Sequence, residues 1–192
     1  MEEYSDEELL AGLARGDVAA GRAFFLRYRQ KAYRVAYRLL GNEADALDAV
    51  EDAFLKLITA AAGFRGEATA KTWFYRILVN TALDSRRKRR VHASLDAMED
   101  DEEGRSQAIA SRDEGPVEAA ERGEMGEKIR QAIADLDEKH REVFVLAAVE
   151  GLSYKEMADV LEISIGTVMS RLFYARKYLQ KSLKGYLEAS HE

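Results

Sequence analysis

The chain has 192 residues, of which 47% are hydrophobic and 33% are charged, and its formal net charge is −6. This length suits one ordinary domain or two small ones, and the composition is typical of a soluble, folded, helix-rich protein. Cysteine is absent, which excludes disulfides, thiolate metal sites and cysteine nucleophiles. The N-terminus is acidic, so we expect no signal peptide, and no apolar run reaches the length of a membrane helix.

The negative charge is concentrated in one segment. Residues 1–90 carry 16 Lys and Arg against 13 Asp and Glu, residues 91–125 carry 3 against 11, and residues 126–192 carry 10 against 11. The three net charges are therefore +3, −8 and −1. Because the first segment ends in the run Arg86-Arg87-Lys88-Arg89-Arg90, the overall acidity does not exclude binding to nucleic acid.

The first two elements are predicted to be helices. Ser5 and Glu8 have the spacing of a capping box, which predicts a short helix that ends near Gly16. Apolar residues then recur at helical spacing from Ala20 to Leu40, and the following glycine predicts the end of this helix. We expect its core residues to be Phe24, Phe25, Tyr28, Ala32, Val35, Ala36, Leu39 and Leu40.

A third helix is predicted from Glu43 to Ala60. Leu55 and Lys56 lie away from its apolar stripe, beside several acidic residues. An acidic helix face is usually solvated surface, whereas an apolar side chain among acids is also compatible with a partner surface, and the pattern alone leaves both readings open. The stripe that we expect to be buried is Ala46, Leu47, Val50, Phe54, Leu57 and Ile58.

A loop and a fourth helix follow. Gly63-Phe64-Arg65-Gly66-Glu67 predicts a loop, and Thr72 to Arg90 predicts a helix in which Trp73 can face a core. Aromatic, amide and arginine groups near a glycine loop are typical of a surface for single-stranded nucleic acid, because aromatics stack on bases, amides read base edges and basic residues follow phosphates. A core tryptophan and a solvated basic helix end explain the same pattern.

The rest of the chain predicts a second helical unit. Residues 91–125 are acidic, contain the only proline and are interpreted as a flexible linker. Helical periodicity resumes at Gly126 and continues to Gly151, a predicted C-cap. The predicted fold class is therefore all-α, with two small helical domains at 1–90 and 126–192 that are joined by an acidic linker.

The segment from Leu152 to Leu179 has the pattern of a helix-turn-helix. Ser153 and Glu156 form a second capping box, and Ser164 is a suitable N-cap for the next helix. An ordinary αα-hairpin with a solvated basic face is the alternative. The second helix is predicted to bury Val168, Leu172, Ala175 and Leu179, while its other faces carry Thr167, Ser170, Arg171, Tyr174, Arg176 and Lys177.

Motifs for catalysis are absent from the sequence. It contains no phosphate-loop or dinucleotide-binding glycine signature, no HExxH and no convincing Ser/His/Asp set. His92, His140 and His191 are far apart in polar contexts and are predicted to be surface residues. We therefore expect no enzyme activity, no cofactor and no metal site.

Taken together, these motifs resemble the bacterial RNA polymerase sigma factors of the extracytoplasmic-function (ECF) group. The run from Asp45 to Leu57 is similar to the region that binds the polymerase clamp helices. The run from Thr72 to Asn80, with the acid and basic cluster that follow it, is similar to the helix that melts and reads the −10 element. The run from Ser164 to Leu172 is similar to the −35 recognition helix.

The resemblance implies a cytoplasmic factor that binds core RNA polymerase and promoter DNA, as duplex at −35 and as a single strand at −10. It also implies an inhibitory anti-sigma factor, no small-molecule substrate and no membrane insertion. The implied polymerase-binding residues are Asp48, Glu51, Asp52, Leu55 and Lys56. The implied −10 residues, beside a loop that receives a flipped base, are Phe64, Arg65, Trp73, Asn80, Asp84, Arg86, Arg87 and Lys88. The implied −35 residues are Ser164, Thr167, Met169, Ser170, Arg171, Phe173, Tyr174, Arg176 and Lys177.

Two residues depart from the family pattern. Met169 and Tyr174 stand where the family often has a basic residue, so we expect the −35 preference to differ. The net charge of −1 on the C-terminal domain predicts weak DNA binding by that domain alone, with polymerase holding both domains in register.

Two other functions are weighed against the resemblance. A helix-turn-helix regulator that binds operators as a dimer is disfavoured by the Trp73 and Asn80 helix and by the lack of a dimerisation heptad. A helical interaction protein with no role on DNA is the second alternative.

Overall fold

The computed structural model describes residues 4–96 and 124–189, with backbone alone for 90–96, 124 and 185–189. Most of the predicted linker therefore lies outside the described residues. Within them the regular elements are all helical, and none is long and apolar enough to cross a membrane. The helices are α1 (Asp6–Ala14), α2 (Val18–Leu40), α3 (Glu43–Ala60), a 3-10 turn (Ala61–Gly63), α4 (Ala70–Asp96), α5 (Glu124–Ala134), α6 (Glu138–Glu150), α7 (Tyr154–Leu161) and α8 (Ile165–Ala189).

The predicted helix caps are confirmed. The backbone N–H of Glu8 donates to Ser5 Oγ at 3.2 Å, and the N–H of Ser5 donates to the Glu8 carboxylate at 2.7 Å. Ser153 and Glu156 form the same reciprocal pair at the start of α7. Gly41 takes the left-handed conformation after α2, with φ of 81°, where a side chain would be strained. Local sequence therefore sets the helix ends.

The N-terminal helices are held together by a cluster of aromatic side chains. Phe24 and Tyr28 of α2 stack on each other, and both rings lie against Phe74 of α4. Phe54 of α3 meets Phe74 with ring centroids 4.8 Å apart. Because all four side chains are buried, this cluster fixes α4 against α2 and α3 and so positions the start of α4.

Part of the predicted core is wrong. Leu47 and Ile58 of α3 were expected to be buried, but both are exposed, and Phe25 of α2 is also partly exposed. The buried face of α3 is centred on Ala49 and Ala53, whose small side chains let the helix approach its neighbours closely. Residues one step away from this narrow face, such as Leu47, are turned about 100° towards the solvent. Leu40 of α2 is half-buried.

The C-terminal helices form a second packed group. Val143 and Leu146 of α6 are buried together with Met157 of α7, and the core side of α8 carries Val168 and Leu172. The chain reverses between α7 and α8 at Glu162, whose φ is 53°, and Ser164 Oγ accepts the N–H of Thr167 at 3.1 Å. The predicted helix-turn-helix and its N-cap are therefore confirmed.

The two helical groups pack against each other. Helix α6 lies along α2, and α7 lies along α4. Lys71 donates from Nζ to the carbonyl of Glu150 at 3.3 Å, and Arg141 donates to the carbonyl of Leu39 at 3.4 Å. Burial and the nearby Glu150 carboxylate raise the pKa of Tyr75 on the same side of α4. Helical periodicity alone does not predict this packing.

Candidate nucleic-acid interface

A polar cavity of about 310 Å³ opens where the glycine loop meets the start of α4. The rings of Phe64 and Trp73 form its aromatic side, with centroids 5.2 Å apart, and both are half-buried against the core. Gly66 has a φ of 72°, which allows the loop to turn here without strain. The residues that line the cavity are Gly63, Phe64, Arg65, Glu67, Ala68, Trp73, Arg76 and Asp159.

Arg76 belongs to this cavity although it was not among the predicted site residues. Its Nε donates to the carbonyl of Asp159 on α7 at 2.9 Å, and its guanidinium lies 3.9 Å from the carboxylate of Glu162. Arg76 follows Trp73 by three residues, so the two side chains share one face of α4. That helical spacing is the signal by which the sequence could have identified it.

The exposed side of α4 continues from the cavity towards the basic run. Asn80, Asp84 and Lys88 are exposed at helical spacing of four. The Asp84 carboxylate accepts from the Arg87 guanidinium at 3.3 Å, so this acid orients an arginine. Arg86 lies on a different side, 3.7 Å from Glu138 of α6.

Helix α8 presents a mixed apolar and basic surface. The side chains of Thr167 and Ser164 pair with each other at 2.8 Å at its start. The exposed residues of the predicted −35 set on this helix are Met169, Ser170, Phe173, Tyr174, Arg176 and Lys177.

Arg171 is placed differently from the rest of the −35 set. Its guanidinium lies 3.9 Å from the carboxylate of Glu142 on α6, and its side chain is only 21% exposed. Burial raises the pKa of Glu142, and Glu138 adds to that rise, while Arg171 and Arg86 oppose it. Arg171 therefore acts as the charge partner of a buried carboxylate between α6 and α8.

The predicted polymerase-binding residues lie on the outer side of α3. Leu55 is 55% exposed, and Asp48, Glu51 and Asp52 are exposed around it. Lys56 instead reaches across to α4, where its Nζ donates to Thr81 Oγ1 at 3.0 Å. We call the exposed set Leu47, Asp48, Glu51, Asp52, Leu55 and Ile58 the α3 patch.

Nothing in the described part of the chain suggests a metal centre. Within residues 4–96 and 124–189, no group of three or more His, Asp or Glu side chains is arranged to hold an ion. The cavity is lined by aromatic, basic and acidic side chains, and the exposed side chains of α8 are apolar, aromatic, hydroxyl, amide and basic groups. Aromatic, amide, hydroxyl and basic groups bind nucleic acid by stacking, base-edge hydrogen bonds and phosphate contacts.

Comparison with known families finds matches in both helical groups. The family Sigma-70 region 2 matches residues 24–91, and the family Sigma-70 region 4 matches residues 126–179. The first match includes the α3 patch and the cavity residues from Gly63 to Arg76, and the second includes the helix-turn-helix and Asp159.

Curated proteins match over nearly the whole chain. The RNA polymerase sigma-H factor of Pseudomonas aeruginosa is 33% identical over 189 residues, which cover 97% of this chain and 98% of that protein. The ECF RNA polymerase sigma factor SigW of Bacillus subtilis is 35% identical, with 82% and 85% covered. The ECF RNA polymerase sigma-E factor of Escherichia coli is 31% identical, with 95% and 96% covered.

Solved structures share the fold. The structure of CnrH in complex with the cytosolic domain of CnrY superposes with a TM-score of 0.67 at 25% identity, and the match covers 94% of this chain and 97% of that one. The sigma factor RpoE of Bartonella quintana, solved with the anti-sigma factor NepR, gives a TM-score of 0.66 at 24% identity and covers 85% of this chain and 96% of that one.

Proposed function

Because this chain belongs to the RNA polymerase sigma factors of the ECF group, which direct promoter-specific initiation of transcription, we propose how its surfaces divide that task. The α3 patch binds core polymerase, the cavity and the exposed side of α4 bind the −10 single strand, and α8 reads the −35 duplex. The observation that carries the proposal is the aromatic cavity, with Asn80 exposed two turns beyond Trp73, in a chain that also presents a helix-turn-helix. The site of action is the cytoplasm, where core polymerase works.

The α3 patch has the composition of a docking surface. Leu47, Leu55 and Ile58 expose apolar area on one side of the helix, between exposed carboxylates. Exposed apolar side chains in a polar surround mark interaction sites on soluble proteins. Lys56 contributes by holding α3 to α4, because one N–H of its ammonium group donates to Thr81.

The cavity suits a base that has left the duplex stack. The rings of Phe64 and Trp73 offer stacking faces, and the charged groups that line the cavity are two arginines, Arg65 and Arg76, and two acids, Glu67 and Asp159. The free amide of an exposed asparagine, Asn80, can donate to and accept from one base edge together. Arg87, oriented by Asp84, and Lys88 then follow the backbone along the last turns of α4.

The −35 duplex is assigned to the helix-turn-helix. In this motif the second helix enters the major groove while the first crosses the backbone. The N-cap Ser164 and the exposed Ser170 are polar groups at the entering end, and Arg176 and Lys177 supply phosphate contacts further along. A domain of net charge −1 gains little from phosphates alone, so polymerase must hold both domains on the promoter together.

We also propose an anti-sigma factor as inhibitory partner. CnrH was solved in complex with the cytosolic domain of CnrY, and the RpoE of Bartonella quintana with the anti-sigma factor NepR. This chain shares their fold over most of its length. Affinity capture with the tagged chain, followed by loss of run-off transcription when the captured protein is added, would test this partner.

Run-off transcription with purified core polymerase over a randomised promoter library tests the proposed function. We expect selection of a two-part promoter and a strong loss of product for Asn80→Ala. Gln180→Ala, which removes an exposed amide far along α8, is the matched control and should leave the product unchanged. Specific duplex binding by a dimer of the isolated chain would favour a classical regulator, and the absence of any product would favour an interaction protein without a role on DNA.

A further inference from the structure

A line of apolar side chains runs along the exposed side of α8. Ile165, Met169 and Phe173 are 46%, 52% and 61% exposed and are spaced four residues apart. That spacing places them along one side of the helix. The core side of the helix, where Val168 and Leu172 are buried, lies next to this line and not beneath it. The line is therefore not part of the hydrophobic core.

The first two turns of the same helix have few hydrogen-bond donors available for base edges. Arg171 faces the Glu142 carboxylate, and the hydroxyls of Ser164 and Thr167 face each other. Ser170 is the exposed hydroxyl between Met169 and Phe173. In the major groove the apolar feature that differs between bases is the C5-methyl group of thymine.

We propose that Ile165, Met169 and Phe173 form a specificity-determining line that reads thymine methyl groups in the −35 duplex. This inference rests on the proposed function, since it needs α8 in the major groove. Arg176 lies on the same side of the helix two turns beyond Met169, where its charge complements a phosphate backbone. The line therefore meets the duplex with its apolar part on the bases and its basic part on the backbone.

Replacement of thymine by uracil in the DNA removes the methyl group and leaves every hydrogen-bonding group in place. With the reconstituted holoenzyme and its selected promoter, we expect uracil at −35 thymines to weaken promoter binding about fourfold for each methyl group contacted, the value for burial of one such group. Uracil in the spacer is the DNA control. Equal binding with uracil at all −35 positions would overturn the proposal.

Protein variants show which side chains cause the preference for thymine over uracil. Met169→Ala and Phe173→Ala should each reduce the ratio of thymine to uracil binding towards one. Tyr178→Ala removes an exposed aromatic further along α8 and should keep that ratio unchanged. If the ratio stayed the same in all three variants, the methyl groups would be read elsewhere. A failure of the proposed function would look different, because the unmodified promoter would then give no product.

A second inference comes from the contact between the two helical groups. Arg76, at the mouth of the cavity, donates to the Asp159 carbonyl, so the end of α7 forms one wall of the cavity. Arg86, one of the predicted −10 residues, lies 3.7 Å from Glu138 of α6. Lys71, in the first turn of α4, donates to the Glu150 carbonyl. Three cations along α4 are thus bound by acceptors of the helix-turn-helix domain.

This packing conflicts with DNA binding by both domains. In a bound helix-turn-helix the first helix crosses the DNA backbone, but here α7 lies along α4. Arg76 and Arg86 would exchange their carbonyl and carboxylate acceptors for phosphates when DNA binds. We infer that the packed arrangement is an autoinhibited form, and that core polymerase separates α7 from α4 before the −10 strand reaches the cavity. This inference also rests on the proposed function.

The absence of cysteine allows a clean test by cross-linking. Cysteines in place of Lys71 and Glu150 would be joined by a short, reducible bismaleimide in the free chain. We expect the cross-linked chain to lose at least tenfold in run-off transcription and to recover on reduction. The two single-cysteine chains, treated in the same way, are the controls. Failure to cross-link, or full transcription by the cross-linked chain, would overturn autoinhibition.

A distance measurement separates this inference from the proposed function. Fluorophores on the same two cysteines should move apart when core polymerase is added and should stay close in the free chain. An unchanged distance in a chain that transcribes would overturn the autoinhibited form alone. A chain that gives no product on any promoter would instead contradict the proposed function.

Discussion

The guanidinium of Arg171 on the recognition helix lies 3.9 Å from the carboxylate of Glu142, which is buried on α6. Sequence pattern places Arg171 among the DNA-binding residues, whereas its position in the fold gives it a charge partner inside the protein. We expect Arg171→Ala to lower the free energy of unfolding by about 1 kcal/mol, because it leaves a buried carboxylate without its closest cation. Urea denaturation measures this change.

Arg176→Ala is the matched control for that prediction. Arg176 is exposed on the same helix, so its removal should change stability by less than about 0.5 kcal/mol while it weakens promoter binding in a salt-dependent way. Equal stability of the two variants would contradict the structural role of Arg171.

The raised pKa of Glu142 predicts how the free energy of unfolding depends on pH. Burial raises the pKa of its carboxyl above the ordinary 4.5, so the folded state binds this proton more tightly than the unfolded state does. The ionised form therefore costs stability, and the cost grows as the pH rises through the raised pKa. Glu142→Gln lacks this ionisation, so its stability relative to the parent chain should increase with rising pH. Denaturation from about pH 4.5 to about pH 8 measures the difference, and a constant difference would contradict the assignment.

The α3 patch predicts the effect of changes on polymerase binding. Leu55→Ala removes its central apolar side chain and should weaken binding of core polymerase about fivefold to tenfold, as expected for an interface residue that contributes more than about 1 kcal/mol. Leu47→Ala and Ile58→Ala should have smaller effects in the same direction. Val18→Ala, an exposed apolar residue at the start of α2, is the control. Binding is measured by fluorescence anisotropy, and an unchanged affinity for Leu55→Ala would argue against this docking surface.

The cavity predicts a defect in promoter opening. Trp73→Ala removes a stacking face and should reduce opening about tenfold, in line with stacking energies of about 1–3 kcal/mol per base. Trp73→Phe keeps a ring beside Phe64 and should retain most of the activity. Permanganate reactivity of −10 thymines measures opening. A template whose −10 region is already single-stranded should restore transcription by Trp73→Ala only in part. The reason is that the Trp73 ring is also needed to bind the −10 strand once it is open. Normal promoter opening by Trp73→Ala would exclude the cavity as the site that binds the −10 strand.

Much of the fold follows from local sequence. The capping boxes at Ser5 and Ser153, the left-handed Gly41 and the N-cap Ser164 all lie where the sequence predicts them. These features depend on residues within one helical turn, so the local chain is sufficient to specify them. Motif order along the chain is also enough to indicate the family, because each motif is contiguous.

The wrong predictions and the contacts that were not predicted depend on distant parts of the chain. Leu47 and Ile58 are apolar at helical spacing, and only the close approach of neighbouring helices to the alanine face of α3 turns them outward. The ion pair of Arg171 with Glu142 and the hydrogen bond of Arg76 to Asp159 join residues on different helices, the second across 83 positions of the chain. Helical periodicity carries no information on such partners.

The sequence by itself therefore determined the helical class, the caps at Ser5, Gly41, Ser153 and Ser164, the helix-turn-helix and the membership of the family. Only the tertiary structure decided which arginines have charge partners within the protein, which apolar residues of α3 are exposed, and how α7 packs on α4. The physical reason is the distance along the chain between the residues that interact. Caps and helical faces are set by hydrogen bonds and side chains a few residues apart, whereas ion pairs, exposed patches and contacts between helical groups depend on which surfaces meet after the chain has folded.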